Sequence, residues 1–238
     1  MNYGQFPSGP VVFAACDDKY FLEHAPALVY SCDKVGKDVH IHVVNITEEC
    51  RKLAITMDAR TKVNFTMTWE DVDFSNMDSQ SQRAFYASLR FLRAPMILEY
   101  ARRMLIVDVD CMIMNDFDFP DKPLGYFPRE SLPGTVGWEQ EGTKVAAGAV
   151  YYDVDAWSIA NEVKEVLKEL PFQWFNDQIA LNTVFSKVPD DMVEKFDNQF
   201  MDWEFVKGTT IWTGKGPRKY DNPIYVAKKK EYTECLLS

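Results

Sequence analysis

The sequence predicts an α/β fold: a single Rossmann-like domain with a mostly parallel central sheet flanked by helices. Three observations predict it. Apolar runs alternate with segments of helical period over residues 11–108. The run Met104-Leu105-Ile106-Val107 carries no polar side chain, as in strands buried on both faces of a parallel sheet. That run ends in Asp108-Val109-Asp110, which sets two carboxylates at the strand's carboxyl end, where open α/β sheets receive ligands.

Taken in order, residues 11–15 form a short apolar strand. Residues 20–35 are helical in pattern, with a start or a kink at Pro26, because proline withholds a backbone donor. Residues 39–45 alternate and read as a strand. Thr47 caps a helix running to about residue 60, and residues 63–68 form a third strand. A longer helical stretch over 81–100 is interrupted at Pro95 before the strand that delivers Asp108. This β-α-β-α-β-α-β order implies parallel strands with helices on the faces. Past Asp110 the rhythm shortens, with strands expected at 111–114, 124–128 and 145–152 and a glycine-containing loop at 131–143. Helices follow at 156–170, with Asp155 as cap, and near 177–185. From residue 192 onward the chain reads as irregular, rich in aromatic residues and glycine. Nothing marks a repeat or a clean linker, so one domain is expected over 1–238.

Composition narrows the function classes. At 238 residues and 47% hydrophobic, the chain is long enough for a sizeable core. A net charge of -10 argues against nucleic-acid binding, which needs a basic face. The basic stretches are 215–219 and Lys228-Lys229-Lys230, the second read as solvated surface. Five cysteines (Cys16, Cys32, Cys50, Cys111, Cys235), without a Cys-x-x-Cys pair, make neither a disulfide framework nor a zinc site. With no signal peptide and no membrane-spanning run in view, a cytoplasmic location is expected.

Four Asp-x-Asp triplets occur, so the triplet alone is a weak signal. Asp71-Val72-Asp73 and Asp116-Phe117-Asp118 lie in polar or proline-rich turns, and Asp153-Val154-Asp155 precedes a helix. Only Asp108 and Asp110 close a short, wholly apolar run without a helix directly after it, and there paired carboxylates offer oxygen ligands to a hard divalent cation. The first strand ends in Ala15-Cys16-Asp17-Asp18-Lys19-Tyr20. There an acidic group can accept an imide N–H and a tyrosine ring can stack on a base; an ordinary strand–helix turn capped by Asp17 or Asp18 explains the same residues. His40 and His42 share a strand face, as a metal pair would, but with no third ligand nearby they read as exposed strand residues. Trp138, Trp174, Trp203 and Trp212 read as core, with sugar stacking open to one of them. Asp190-Asp191 reads as a turn.

These blocks, taken together, resemble glycosyltransferase family 8. The resemblance rests on Ala15-Cys16-Asp17-Asp18-x-Tyr20, Leu89-Arg90-Phe91, Leu105-Ile106-Val107-Asp108-Val109-Asp110, Ala147-Gly148-Ala149-Val150 with Asp155-Ala156-Trp157, and Asn176-Asp177-Gln178-x-x-Leu181-Asn182. They come in family order over about residues 11–220. The resemblance implies a GT-A fold, with a nucleotide-binding half (11–110), a sugar and acceptor half (111–220) and a tail (221–238). It implies transfer of a hexose from a UDP-sugar to a carbohydrate, lipid-linked or protein acceptor, with retention of anomeric configuration. Ala15, Asp17 and Tyr20 would hold the uridine, with Val109 beside them. Arg90 and Lys219 would contact the donor, and Asp108 and Asp110 would bind manganese or magnesium. Asp177 would hydrogen-bond the transferred sugar, and Gln178 would sit beside its anomeric carbon.

The chain departs from the family pattern at two places. Ala146 stands where the family has asparagine, and Thr213 aligns with the histidine that supplies a third metal ligand. Two other readings compete. One is a non-catalytic nucleotide-sugar-binding protein of the same fold. The other is a haloacid-dehalogenase-type phosphohydrolase, which also places Asp-x-Asp after a strand. Its nucleophile strand normally opens the fold, whereas more than a hundred residues precede Asp108 here.

Overall fold

The computed structural model describes residues 3–129, 144–214 and 216–238. Four strands run parallel through the centre of the main sheet: β2 (Val11–Asp17), β3 (Val39–Val44), β4 (Phe65–Glu70) and β5 (Arg103–Val107). The edge strand β1 (Tyr3–Gly4) is antiparallel to β4. On the other side β8 (Val145–Asp153) is antiparallel to both β5 and β7 (Leu124–Pro128), and β9 (Val193–Lys195) closes that edge. The order is β1-β4-β3-β2-β5-β8-β7-β9. A small second sheet joins β10 (Met201–Asp202), β11 (Ile211–Trp212) and β6 (Met112–Ile113).

Helices α1 (Asp18–Lys34), α2 (Glu48–Asp58) and α3 (Ser79–Ala101) make the crossovers between the parallel strands. Every residue of β3, and all but the last of β2, is buried. Apolar side chains therefore occupy both faces of the sheet, and one core lies on each side of it. Thr47 caps α2 by accepting from the Cys50 N–H at 3.3 Å, as its sequence position predicts. The glycine-containing loop at 131–143 and Trp138 lie outside the described residues.

The structure corrects several local expectations. Pro26 and Pro95 sit inside uninterrupted helices, α1 and α3. Both prolines are themselves buried, so tertiary packing outweighs the missing backbone donor. Pro95 also gains an outside partner, its carbonyl accepting from the Trp157 indole N–H at 3.1 Å. The third strand begins and ends two residues later than expected, at Phe65–Glu70. Asp153, not Asp155, caps the segment before α4 (Trp157–Glu169), accepting from the Asp155 N–H at 3.1 Å and starting a single 3-10 turn.

His40 and His42 are fully buried, not exposed, because β3 is an interior strand covered on both faces. They form a hydrogen-bonded ladder with β4. His40 pairs with Thr66 at 2.8 Å and Thr68 at 3.0 Å, and His42 with Thr68 at 2.9 Å and Glu70 at 3.2 Å. Arg93 closes the ladder on Glu70 at 2.7 Å.

The largest correction is the stretch after residue 192. It carries α6 (Arg218–Asp221) and α7 (Pro223–Leu237), the latter packed on α1. Asn222 caps α7, accepting from Ile224 N–H at 3.0 Å and Tyr225 N–H at 3.3 Å, with Pro223 opening the helix. Tyr225, Tyr232 and Leu236 are buried along it. Burying a side chain such as Leu236 contributes roughly 2 kcal/mol, which holds the helix in place.

Candidate active site

In the sheet, β2 and β5 are neighbours although α1, β3, α2, β4 and α3 separate them in sequence. The strand order therefore reverses between them, and a crevice opens at their carboxyl ends. Asp17 ends β2 and Asp108 follows β5, so both acidic loops reach this crevice. A cavity of about 800 Å³ fills it. Its walls bring together Ala15, Asp17, Tyr20, Arg90, Asp108, Val109, Asp110, Asp177, Gln178 and Lys219, which the sequence spreads over more than two hundred positions.

Asp17 caps α1, one carboxylate oxygen accepting from the Tyr20 N–H at 2.8 Å. The ordinary turn reading is thus correct for that oxygen, while the residue also lines the cavity. Burial raises the Asp17 carboxyl, and the Tyr20 hydrogen bond pulls it back.

Arg90 is the hub of the opposite wall. It projects from α3, almost fully buried, and reaches three elements. Its guanidinium lies 2.7 Å from Asp108 Oδ1, donates to the Ala147 carbonyl of β8 at 3.1 Å, and lies 3.5 Å from Asp177 Oδ2. Asp177 sits in the first turn of α5 (Asn176–Phe185). Burial pushes its carboxyl above the ordinary range, and the Arg90 charge opposes that rise. Asp177 Oδ1 also accepts from the Gln178 N–H at 2.8 Å. The side-chain oxygen of Gln178 accepts from Arg129. Sequence reasoning missed Arg129; its place one residue past β7, a strand the sequence does reveal, was the available signal.

On the far side, Lys219 Nζ forms an ion pair with Asp110, and both side chains are almost wholly enclosed. The lysine also lies 3.4 Å from the Tyr20 hydroxyl and 4.9 Å from that ring's centroid. Burial works against the ammonium, but the Asp110 charge and hydrogen bond outweigh it and raise the Lys219 pKa. Burial and the neighbouring Asp108 push the Asp110 carboxyl up to about 6. The Asp110 carbonyl accepts from the Tyr225 hydroxyl at 2.8 Å, which ties α7 to the site. Gly214 packs against the ion pair: a Cβ there would lie 2.7 Å from Lys219 Cδ and 3.1 Å from Asp110 Cγ. Only glycine leaves the lysine stem its path.

The donor set fits a divalent ion. One ligand atom each of Asp108, Asp110 and Cys111 lies within 4.8 Å of the others. Asp110 Oδ1 is buried without a hydrogen-bond partner, as expected of an oxygen shaped to meet a cation. Two carboxylates suit a hard ion, but Cys111 suits it poorly. Burial and the adjacent Asp108 and Asp110 charges raise its thiol pKa far above normal. That thiol donates to the Thr213 hydroxyl at 3.1 Å. Thr213, at the position of the family's histidine, is therefore engaged with Cys111.

No protein-family model matches the sequence, and no curated protein matches it. Solved structures do. The galactosyltransferase LgtC, solved with donor and acceptor sugar analogues, superposes with a TM-score of 0.63 at 18% identity, covering 94% of each chain. The glycosyltransferase GlyE of Streptococcus pneumoniae TIGR4, in its apo form, gives 0.63 at 14% identity over 97% of this chain and 62% of its own. The bifunctional glycosyltransferase WbbM gives 0.64 at 16% identity, over 96% of this chain and 50% of its own. The chain has the GT-A glycosyltransferase fold. Within that fold, the strand before Asp108 is the fourth of the parallel strands in chain order. The GT-A architecture does not favour the phosphohydrolase reading. Among the described residues no helix is long and apolar enough to cross a membrane.

Proposed function

We propose that this chain is a metal-dependent glycosyltransferase that moves a hexose from a UDP-sugar to a carbohydrate, lipid-linked or protein acceptor, with retention. The observation that carries the proposal is the convergence, in one cavity at the β2/β5 crevice of a GT-A fold, of two carboxylates, a buried arginine and the Asp177-Gln178 pair.

Each residue has a chemical task in this reading. Asp17 keeps one carboxylate oxygen for its cap, which leaves the second to accept the uracil imide N–H. Tyr20 and the backbone of Ala15 and Val109 flank the nucleoside. Asp108 and Asp110 hold manganese or magnesium. The bound ion supplies positive charge against the leaving diphosphate. Lys219 and Arg90 add to that charge, the first as a point charge and the second as a planar fork. Asp177, fixed by Arg90, accepts from hydroxyls of the transferred sugar. Gln178, its amide oriented by Arg129, stabilises the positive character at the anomeric carbon. The leaving phosphate takes the acceptor's proton on the same face. Gln178 is not assigned a covalent role, because an amide is a weak nucleophile.

The test is UDP release from a panel of UDP-sugars, with and without manganese. Asp108→Ala and Asp110→Ala should each abolish the manganese-dependent signal, and unchanged turnover in both variants would sink the metal assignment. The alternative, a nucleotide-sugar-binding protein without turnover, is separated by the same reagents. Calorimetry showing UDP and manganese binding, with no hydrolysis or transfer from any donor, would select that alternative.

A further inference from the structure

Trp174 is the one tryptophan among the described residues with more than half its surface exposed, at 57%. Exposure alone carries little, since isolated surface aromatics are ordinary. Its position carries more. Trp174 and Gln173 line both the main cavity and a second cleft of about 440 Å³ at the start of α3, so the indole stands at the junction of the two.

The segment that presents the indole is pinned on both sides. Phe172 packs edge-on against Phe85 of α3, with ring centroids 5.5 Å apart. Phe175 holds a φ of 74°, in the left-handed region that a bulky side chain rarely adopts. The Asn176 amide donates back to the Pro171 carbonyl. Strain of this kind persists where the surroundings over-determine it, and it clusters at ligand sites. Trp174 is therefore held in a fixed relation to Asp177 and Gln178, three and four residues on.

The chemistry of the second cleft selects its ligand. Beside the indole it is lined by Gln80, Gln173, Ser81 and Asp78. Asp78 Oδ1 accepts from the Gln80 and Ser81 N–H groups as the cap of α3, and its Oδ2 is not used by that cap. No lysine or arginine is among the described residues that line it. An aromatic plane with uncharged donors and acceptors fits a pyranose ring, whose C–H face covers the indole while its hydroxyls reach the amides. The Asp78 charge disfavours phosphorylated or acidic sugars.

We infer that the second cleft is an outer acceptor subsite and that Trp174 is its platform. It holds the second ring of a neutral saccharide acceptor whose first ring lies beside Gln178. This rests on the glycosyltransferase reading and adds to it a minimum acceptor length of two sugar units.

The experiment compares neutral monosaccharides (glucose, galactose, mannose) with di- and trisaccharides built from them. Binding is measured by calorimetry on the full chain saturated with UDP and manganese. At least one di- or trisaccharide should bind about tenfold or more tightly than its monosaccharide. Trp174→Ala should remove that length advantage, and Trp174→Phe should keep most of it. Ser81→Trp, which fills the cleft from its other wall, should also remove it, and thermal melts of each variant check that the fold is intact. Equal binding of mono- and disaccharides, a length advantage that persists in Trp174→Ala, or binding of UDP without any saccharide would each overturn the inference while leaving the donor site standing. A chain that binds no UDP brings down the donor reading instead, and the same comparison without nucleotide then decides Trp174.

Discussion

Lys219 lies on Asp110, an ammonium and a carboxylate paired where almost no water reaches either. A buried charge pair of this kind resists the loss of one partner, because the remaining charge is left uncompensated. The pair also places a protein cation on an oxygen of a proposed metal ligand. A divalent ion and Lys219 therefore compete for Asp110 until a nucleotide diphosphate offers the lysine another anion. Lys219→Met, which keeps the stem and removes the charge, should tighten manganese binding in the absence of nucleotide by about tenfold or more. Calorimetry with manganese alone checks this, and unchanged or weaker binding in the variant would contradict it.

Arg90 joins Asp108, Asp177 and the Ala147 carbonyl. A lysine cannot serve these three partners with one planar group. Arg90→Lys should lower turnover of the UDP-sugar by about 10²–10³, the usual scale for losing a preorganised electrostatic contact. Steady-state kinetics check it, and a variant within threefold or so of the parent would remove Arg90 from its central role.

Tyr225 bonds the Asp110 carbonyl from α7 at 2.8 Å. Tyr225→Phe should cost about 1 kcal/mol of stability, because it deletes a single neutral hydrogen bond. Urea denaturation measures the difference, and manganese affinity should fall with it as the turn at Asp110 loosens.

His40 and His24 are both held neutral, burial lowering each to about 3 from 6.5, with His42 adding to the effect at His40 and Lys229 and Lys219 at His24. In the unfolded chain they bind protons below pH 6.5, whereas in the folded chain they do so only near pH 3. Stability from these groups is therefore fully present above pH 6.5 and is lost as the pH falls towards 3. The slope approaches about 1.4 kcal/mol per pH unit for each histidine. His40→Gln should flatten the dependence between pH 6.5 and 4 in urea melts, and an unchanged slope would show that His40 does not contribute.

The parallel half of the sheet was legible in the sequence because β2 and β5 are buried on both faces, and their apolar runs record it, while β3 showed as an alternating segment. The expected donor-site residues line one cavity because strand ends reveal where a sheet places its loops. Other features depended on contacts that no local pattern shows. His40 and His42 alternate with apolar residues as exposed positions do, and only the Thr66, Thr68 and Glu70 partners on β4 explain their burial. Pro26 and Pro95 break helices in isolation and not when packed. Helix α7 was announced by Asn222-Pro223, a cap followed by a helix-opening proline, but the surrounding aromatic and glycine residues obscured it. Cys111 follows the acidic triplet directly, and its thiol is marked by its contact with Thr213.

The contacts of Asp110 with Lys219 and Tyr225 also bear on the order in which the protein is made. They span 109 and 115 residues of chain. A growing polypeptide emerges at about 5–20 residues per second, so the acidic triplet leaves the ribosome many seconds before either partner exists. Until α7 docks on α1, Asp110 is a half-formed centre beside a completed β2–β5 sheet. A break in the chain between α5 and α6 would leave that sheet folded and the centre silent. The Asp110 centre is therefore completed late in synthesis, when the segment that carries Lys219 and Tyr225 reaches the crevice.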